Sequence, residues 1–445
     1  LHPETGDKHN RHPVHHRIEV TSFRILLPDM NFVILIFTSI LLTACAVTER
    51  PAEPRPGTVY TLPWGAVSLV APDSPEEARQ KEHLMAALYQ RVSEHSDRDE
   101  QGRPIYRILA ISGGGSNGAF GAGLLTGWTK HGDRPGFDVV TGISTGALMS
   151  TFAFLGPDYD DQLHVYTRIS DQDIYNRRSL LSWLRNDAMT DTTPLRDLVA
   201  EMIDEEILDR VATQYQAGRR LFIGTTNLDS NTFTLWDMGA IAASDRTDRL
   251  ERYRSVVLAS ASAPVIFSPV YIKVEDTDRT YWQMHADGGM NEGIMTYGVL
   301  QEPLEILQVS GLTPRDIRLE IYGISNSRHD RGTYKPVRPN VRDIAMASTA
   351  ALLRNVMDNS IYRMWLKAQL YDMHIYLAWI PDEVEGPASS FEFDNTAMNA
   401  LFRYSHDLAS KQDPWLYVPP GKITGETLHS LDPDRFLHQL NTRPE

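Results

Sequence analysis

The stretch ISGGGSNGAFGAG, Ile111 to Gly123, follows directly on the apolar run Ile108-Leu109-Ala110 and gives six of its thirteen positions to glycine. The apolar run predicts a buried strand from Tyr106 to Ile111, and the residues after the loop predict a helix from about Asn117 to Lys130. Glycine inside a helix is about 1 kcal/mol less favourable than alanine. Gly118, Gly121 and Gly123 are therefore offset by something that needs close approach. A bare loop between strand and helix has two chemical uses: cradling a phosphate, or presenting amide N–H groups to a developing oxyanion.

Moving outward, FDVVTG (Phe137 to Gly142) reads as a second strand, and Ala147 to Leu155 as an apolar helix. Strand, helix, strand, helix predicts an α/β fold with a parallel sheet covered on both faces. Between the second strand and its helix lies Gly142-Ile143-Ser144-Thr145-Gly146. This is G-x-S-x-G, placed where a nucleophile elbow needs it, with glycines flanking a sharp turn that exposes the serine. A serine hydroxyl needs a positioned base and oxyanion donors. In a parallel sheet the loop at Gly113, Gly114 and Gly115 leaves by the same edge as Ser144 and can supply those donors. Asp287-Gly288-Gly289 follows the strand-like YWQMHA. Its glycines allow the aspartate loop to approach the serine. His285 is two residues earlier, on the same face of that strand, and is a candidate partner of Asp287.

The three elements in this order, G-G-G-x-x-G, G-x-S-x-G and D-G-G, resemble the patatin-like phospholipases, over roughly Tyr106 to Ile324. ASASAP and FSPV resemble the segment that precedes the aspartate in that family. The resemblance implies a three-layer α/β/α fold with a mainly parallel central sheet, and a Ser-Asp dyad without histidine. On it, Ser144 is the nucleophile, Asp287 the general base, and the amides of Gly113, Gly114 and Gly115 the oxyanion hole. Gly118, Gly142, Gly146, Gly288 and Gly289 support the motifs. The implied reaction is hydrolysis of lipid carboxylic esters through an acyl-enzyme, with no cofactor and no metal. Two positions depart from the pattern. Asn117 stands where many members carry Arg or Lys, which bears on phosphate recognition more than on acyl transfer. Ser112 stands where plant members often have Asp.

Other readings stay open at this level. Gly113-x-Gly115-x-x-Gly118 is also the dinucleotide fingerprint, but the second strand ends in Val140-Thr141-Gly142 without the acid that would hold a ribose. A Ser-His-Asp hydrolase is available in chain order with His329, His374 or His406. A binding lipoprotein with an inactive site is a third.

The remaining chain is organised around these motifs. Asp158 to Arg220 reads as mostly helical, and RRLFIGTTNLDSNTFTLWDM as a hairpin turning at Leu228 to Asn231. SVVLASASAPVIFSPVYI joins a short helix to a strand, and IRLEIYGIS is a further buried strand. Val341 to Tyr371 is a helix whose Met, Leu and Trp stripe packs on the core or docks on a membrane. The expected divisions are a signal peptide at 1–44, a tether at 45–70, a helical segment at 71–105 with a capped start at Ser74-Pro75-Glu76-Glu77, the catalytic core at 106–324, and a C-terminal extension at 325–445 packed on the core.

With 445 residues, 42% of them hydrophobic, and a net charge of -15, the chain can bury a large core and is a poor partner for nucleic acid. Its single cysteine, Cys45, excludes an intramolecular disulfide. Phe32 to Ala44 is too short to span a bilayer and suits a signal-peptide core. Leu42-Thr43-Ala44-Cys45 resembles a bacterial lipobox, which implies lipidation at Cys45 and membrane attachment through the acyl anchor. Ala46 after the cysteine resembles the sorting pattern for the outer membrane, facing the periplasm. The histidines at 2, 9, 12, 15 and 16 fall in the segment that processing would remove. Oligomeric state is not encoded legibly.

Overall fold

Pro51, Pro54 and Pro56 make the chain after Arg50 extended, and it is fastened to the domain along its length. The Ala52 carbonyl accepts the Trp282 N–H at 2.8 Å, and Arg50 pairs with Asp229 at 2.6 Å. The first strand, β1 (Ala66–Val67), pairs antiparallel with Trp236 and Leu235. The structure, a computed structural model, describes residues 50–57, 61–67, 97–178, 187–276, 279–295, 316–329 and 336–420, with single helical positions between 78 and 94. These lie in one unit, Thr48–Glu445. The expectations for the signal peptide, Cys45 and the capped start at Ser74 lie outside the described residues.

The order of elements follows the sequence pattern closely. β2 (Ile105–Ile111) leads through the glycine loop into α1 (Gly118–His131), and β3 (Val139–Gly142) turns into α2 (Thr145–Leu155). Short helical turns then reach a small ribbon of β4 (Asn176–Arg177) and β5 (Thr190–Asp191), followed by α3 (Thr193–Met202) and α4 (Glu205–Gln216). The expected hairpin is β6 (Arg220–Asn227) and β7 (Thr232–Asp237), paired antiparallel. After it come α5 (Met238–Ala242), α6 (Arg249–Ser260), β8 (Val270–Glu275) and β9 (Thr280–Asp287). β10 (Arg318–Ser325), α7 (Val341–Leu370), β11 (His374–Trp379) and α8 (Asn395–Lys411) complete the described chain.

The strands form one nine-stranded sheet in the order β1-β7-β6-β3-β2-β10-β11, with β9 attached to β6 and β8. The path from β6 to β11 is parallel throughout. Along β2, Leu109 and Ile111 belong to one core cluster and Ile108 and Ala110 to the other. Both faces of the strand are thus apolar because both are covered, as parallel strands require. The result is the expected α/β arrangement of a mostly parallel sheet between helical layers.

The glycines of α1 are explained by what lies against them. A β-carbon on Gly123 would sit 2.9 Å from the Phe402 carbonyl carbon, and one on Gly127 would sit 2.8 Å from the His406 Cα. Removing two side chains lets α8 lie directly on α1. In α7, Met357, Ile361, Met364, Trp365 and Ala368 are buried, whereas Val341, Ile344, Leu352, Leu366 and Leu370 are exposed. A helix of 30 residues is ~45 Å long.

Candidate active site

β6 changes partner along one edge. Its first half pairs with β3, ending at Gly142 opposite Ile223, and its second half pairs antiparallel with β9, where Asp287 stands opposite Thr225. β7 occupies the other edge. The end of β3 and the end of β9 therefore converge on either side of Gly224, one carrying the serine turn and the other the aspartate.

Ser144 has φ 54° and ψ −123°, a backbone state that side chains rarely adopt and that costs on the order of 1–3 kcal/mol. The turn is so tight that a β-carbon on Gly146 would sit 2.7 Å from the Ser112 carbonyl oxygen. Its strain is held by packing and by hydrogen bonds. The Ser144 N–H donates to Ser260 Oγ at 3.0 Å, and the Ser260 hydroxyl donates to the Gly224 carbonyl at 2.7 Å. Helix α2 begins at the next residue, so its positive end lies at the serine.

Asp287 is 3% exposed. Its carboxylate accepts a hydrogen bond from the Gly289 N–H at 2.7 Å and lines the same cavity as the Ser144 side chain. Burial pushes its pKa up to about 6, against the polar groups of Ser144 and Gly289, which favour the charged form. It remains mostly ionised at neutral pH and has a higher proton affinity than an exposed carboxylate, which suits a general base.

The glycine loop lies beside this pair. Ser112 Oγ donates to the Gly113 carbonyl at 2.7 Å and accepts the Asn326 N–H at 2.8 Å. The Asn326 side chain donates to the Ser112 carbonyl at 3.0 Å and accepts the Gly121 N–H at 2.9 Å. Asn326 thus fixes both ends of the loop from the end of β10. The Gly113 N–H is taken by the Gly293 carbonyl at 3.3 Å. Among the described residues the amides of Gly114 and Gly115 have no acceptor. Gly115 has φ 57°, and a β-carbon there would collide with the Ser390 carbonyl. The loop at Ser389 and Ser390 is tied to it by the Ser116 N–H, donated to the Ser390 carbonyl at 2.9 Å.

Ser144 and Asp287 open into a cavity of about 310 Å³. One wall is apolar, with Ile169, Ile174, Leu195, Leu198, Met202 and Phe267. The cavity also touches all three glycines of the loop and Asn117.

The histidines do not enter. His285 does not bond Asp287; Thr225 Oγ1 takes its Nδ1 at 2.9 Å, and burial pushes its pKa down to about 3, so it is neutral. The ring stacks edge-on against Trp236, with centroids 5.5 Å apart. His329 does join a Ser and an Asp, but these are Ser325 at 2.8 Å and Asp358 at 2.7 Å, a half-buried clasp between the end of β10 and α7. His374 begins β11, opposite Glu320, away from the strand ends that carry the site. His406 stacks on Phe402 within α8. Sequence reading passed over Ser260, Asn326 and Ser390. Ser260 lies in ASASAP, which carried a family resemblance without a role, and the other two had no local signal.

Residues 109–300 match the family model of patatin-like phospholipases. This part of the chain is a patatin-like phospholipase domain, which implies an esterase- or lipase-type hydrolase. In structure the chain is similar to VipD from Legionella pneumophila, at 12% identity and a TM-score of 0.30, covering 71% of this chain and 70% of that one. No curated protein sequence matches it.

Proposed function

We propose that the chain is a serine acyl hydrolase that cleaves lipid carboxylic esters with a Ser144-Asp287 dyad. The observation that carries the reading is a serine on a strained strand-to-helix turn and a buried carboxylate that line one cavity. Asp287 takes the hydroxyl proton as Ser144 Oγ bonds to the ester carbonyl carbon. The carbonyl oxygen gains the negative charge, next to the amides of Gly114 and Gly115 and the positive end of α2. When the intermediate collapses, the ester C–O bond breaks and the alcohol leaves with the proton from Asp287. The acyl group stays on Ser144. Water then attacks the acyl-enzyme, its proton going to Asp287, and the carboxylic acid departs as Ser144 recovers its hydrogen.

The apolar wall of the cavity suits the acyl chain. The Ser-His-Asp reading lacks support, because among the described residues no histidine lines the cavity that Ser144 and Asp287 share. Lipid attachment through Cys45 and an outer-membrane location belong to the same proposal and rest on sequence alone.

The test is hydrolysis of short-chain esters and phospholipids by wild type, Ser144→Ala, Asp287→Asn and the double variant. Each change should abolish turnover, and the double should be no worse than either single, since the two residues act as a unit. A fluorophosphonate should label Ser144. Turnover retained in Ser144→Ala would sink the reading.

A further inference from the structure

We propose that Arg328 and Arg354 form an anion-binding subsite that holds the phosphate-bearing side of an ester substrate next to Ser144. This rests on the hydrolase reading above and adds the headgroup class. Only three charged side chains line the described cavity: Asp287, Arg328 and Arg354.

The groups that set the Asp287 pKa are its burial, Ser144 and Gly289, with neither arginine among them. Asn117, where a cation is missing from the glycine loop, lines the same cavity. The positive charge of this site thus comes from chain that follows the matched domain.

Arg328 is built into its place. Its Nη2 donates to the Val384 carbonyl at 2.7 Å, and a β-carbon on Gly386 would lie 2.9 Å from that nitrogen. One N–H of a five-donor planar fork is used in this bond. Among the described residues Arg328 makes no ion pair, so no carboxylate neutralises it. Arg354 comes from α7, on the face that also gives Ala350, Leu353 and Met357 to the cavity, at helical spacing of three and four. A fixed guanidinium fork and a second, more exposed one suit a tetrahedral oxyanion, because Arg pairs with phosphate through two parallel N–H bonds. In this proposal the acyl chain takes the apolar lining and the leaving side of the ester takes the arginines.

The test compares dioctanoylphosphatidylglycerol, dioctanoylglycerol and p-nitrophenyl butyrate on wild type, Arg328→Gln, Arg354→Gln, the double variant and the two Lys variants. Binding of sn-glycerol 3-phosphate and of inorganic phosphate is measured in parallel by calorimetry. The KM for the phospholipid should rise about tenfold per arginine lost, with kcat and both neutral esters within about twofold, and Lys should restore part of the loss. Glycerol phosphate binding that exceeds phosphate binding in wild type, and is lost in the double variant, assigns the subsite to a lipid headgroup. Equal binding of both, lost in the same variant, assigns it to the phosphate alone. Unchanged calorimetry in the double variant, or equal KM changes for charged and neutral esters, overturns the proposal. A wild type that turns over no ester and takes no fluorophosphonate counts against the hydrolase reading instead, and calorimetry still decides the subsite.

Discussion

Ser144 and Asp287 line one cavity although β3, which leads into the serine turn, and β9, which ends in the aspartate, never pair with each other. β6 brings them together by exchanging β3 for β9 at Gly224. Both side chains thus depend on the ladder of one strand, whose eight residues are all buried.

The activity should be acid-sensitive in a definite window. Asp287 must be ionised to accept the serine proton, and its pKa is raised to about 6 by burial. On a soluble ester, log kcat/KM should be flat above neutrality and fall by about one per pH unit below about 6. A profile flat to pH 4.5 would remove Asp287 from the role of base.

The same carboxylate should make the fold less stable when it ionises. Its pKa is higher in the folded chain than its ordinary value of 3.8, so between those values the folded state binds more protons. Stability then falls as pH rises from about 4 to about 6 and stays lowered above that. Asp287→Asn should accordingly melt at a higher temperature than wild type at pH 7.5. The gap should close at pH 4, read by thermal denaturation at both.

Ser260→Ala should impair the nucleophile without touching substrate. The change leaves the buried Ser144 N–H and the Gly224 carbonyl without their shared partner, at a cost of about 1–3 kcal/mol. We expect a lower melting temperature and a kcat reduced on the order of tenfold, with KM nearly unchanged. Full activity in a destabilised Ser260→Ala would show that the elbow holds its shape without this bond.

Gly115→Ala should combine two effects. Its new methyl meets the Ser390 carbonyl and its φ of 57° disfavours any side chain, so the loop shifts and carries its free amide with it. Loss of an oxyanion donor corresponds to a kcat lower by on the order of 10² or more. The displaced Ser389 and Ser390 loop should also become a site of limited proteolysis. Wild-type kinetics in this variant would exclude the Gly115 amide from the oxyanion hole.

The sequence alone carried the α/β class and the order of elements from β2 to β3, because apolar strands and glycine-bounded turns are local signals. G-x-S-x-G and D-G-G likewise pointed to Ser144 and Asp287, since the tight backbone at each is visible as glycine next to the reactive residue. Three things required the tertiary structure. The partner exchange on β6 decides that the two residues line one cavity, and strand pairing leaves no mark in single-strand composition. Asn326, Ser260 and Ser390 hold the site through contacts with residues far away in sequence, where a lone Asn or Ser says nothing about its partner. The glycines of α1 illustrate the limit best. Their number suggested a ligand, yet Gly123 and Gly127 are bare because α8, more than 250 residues later, lies against them. A missing side chain shows that something comes close; only the folded chain shows what it is.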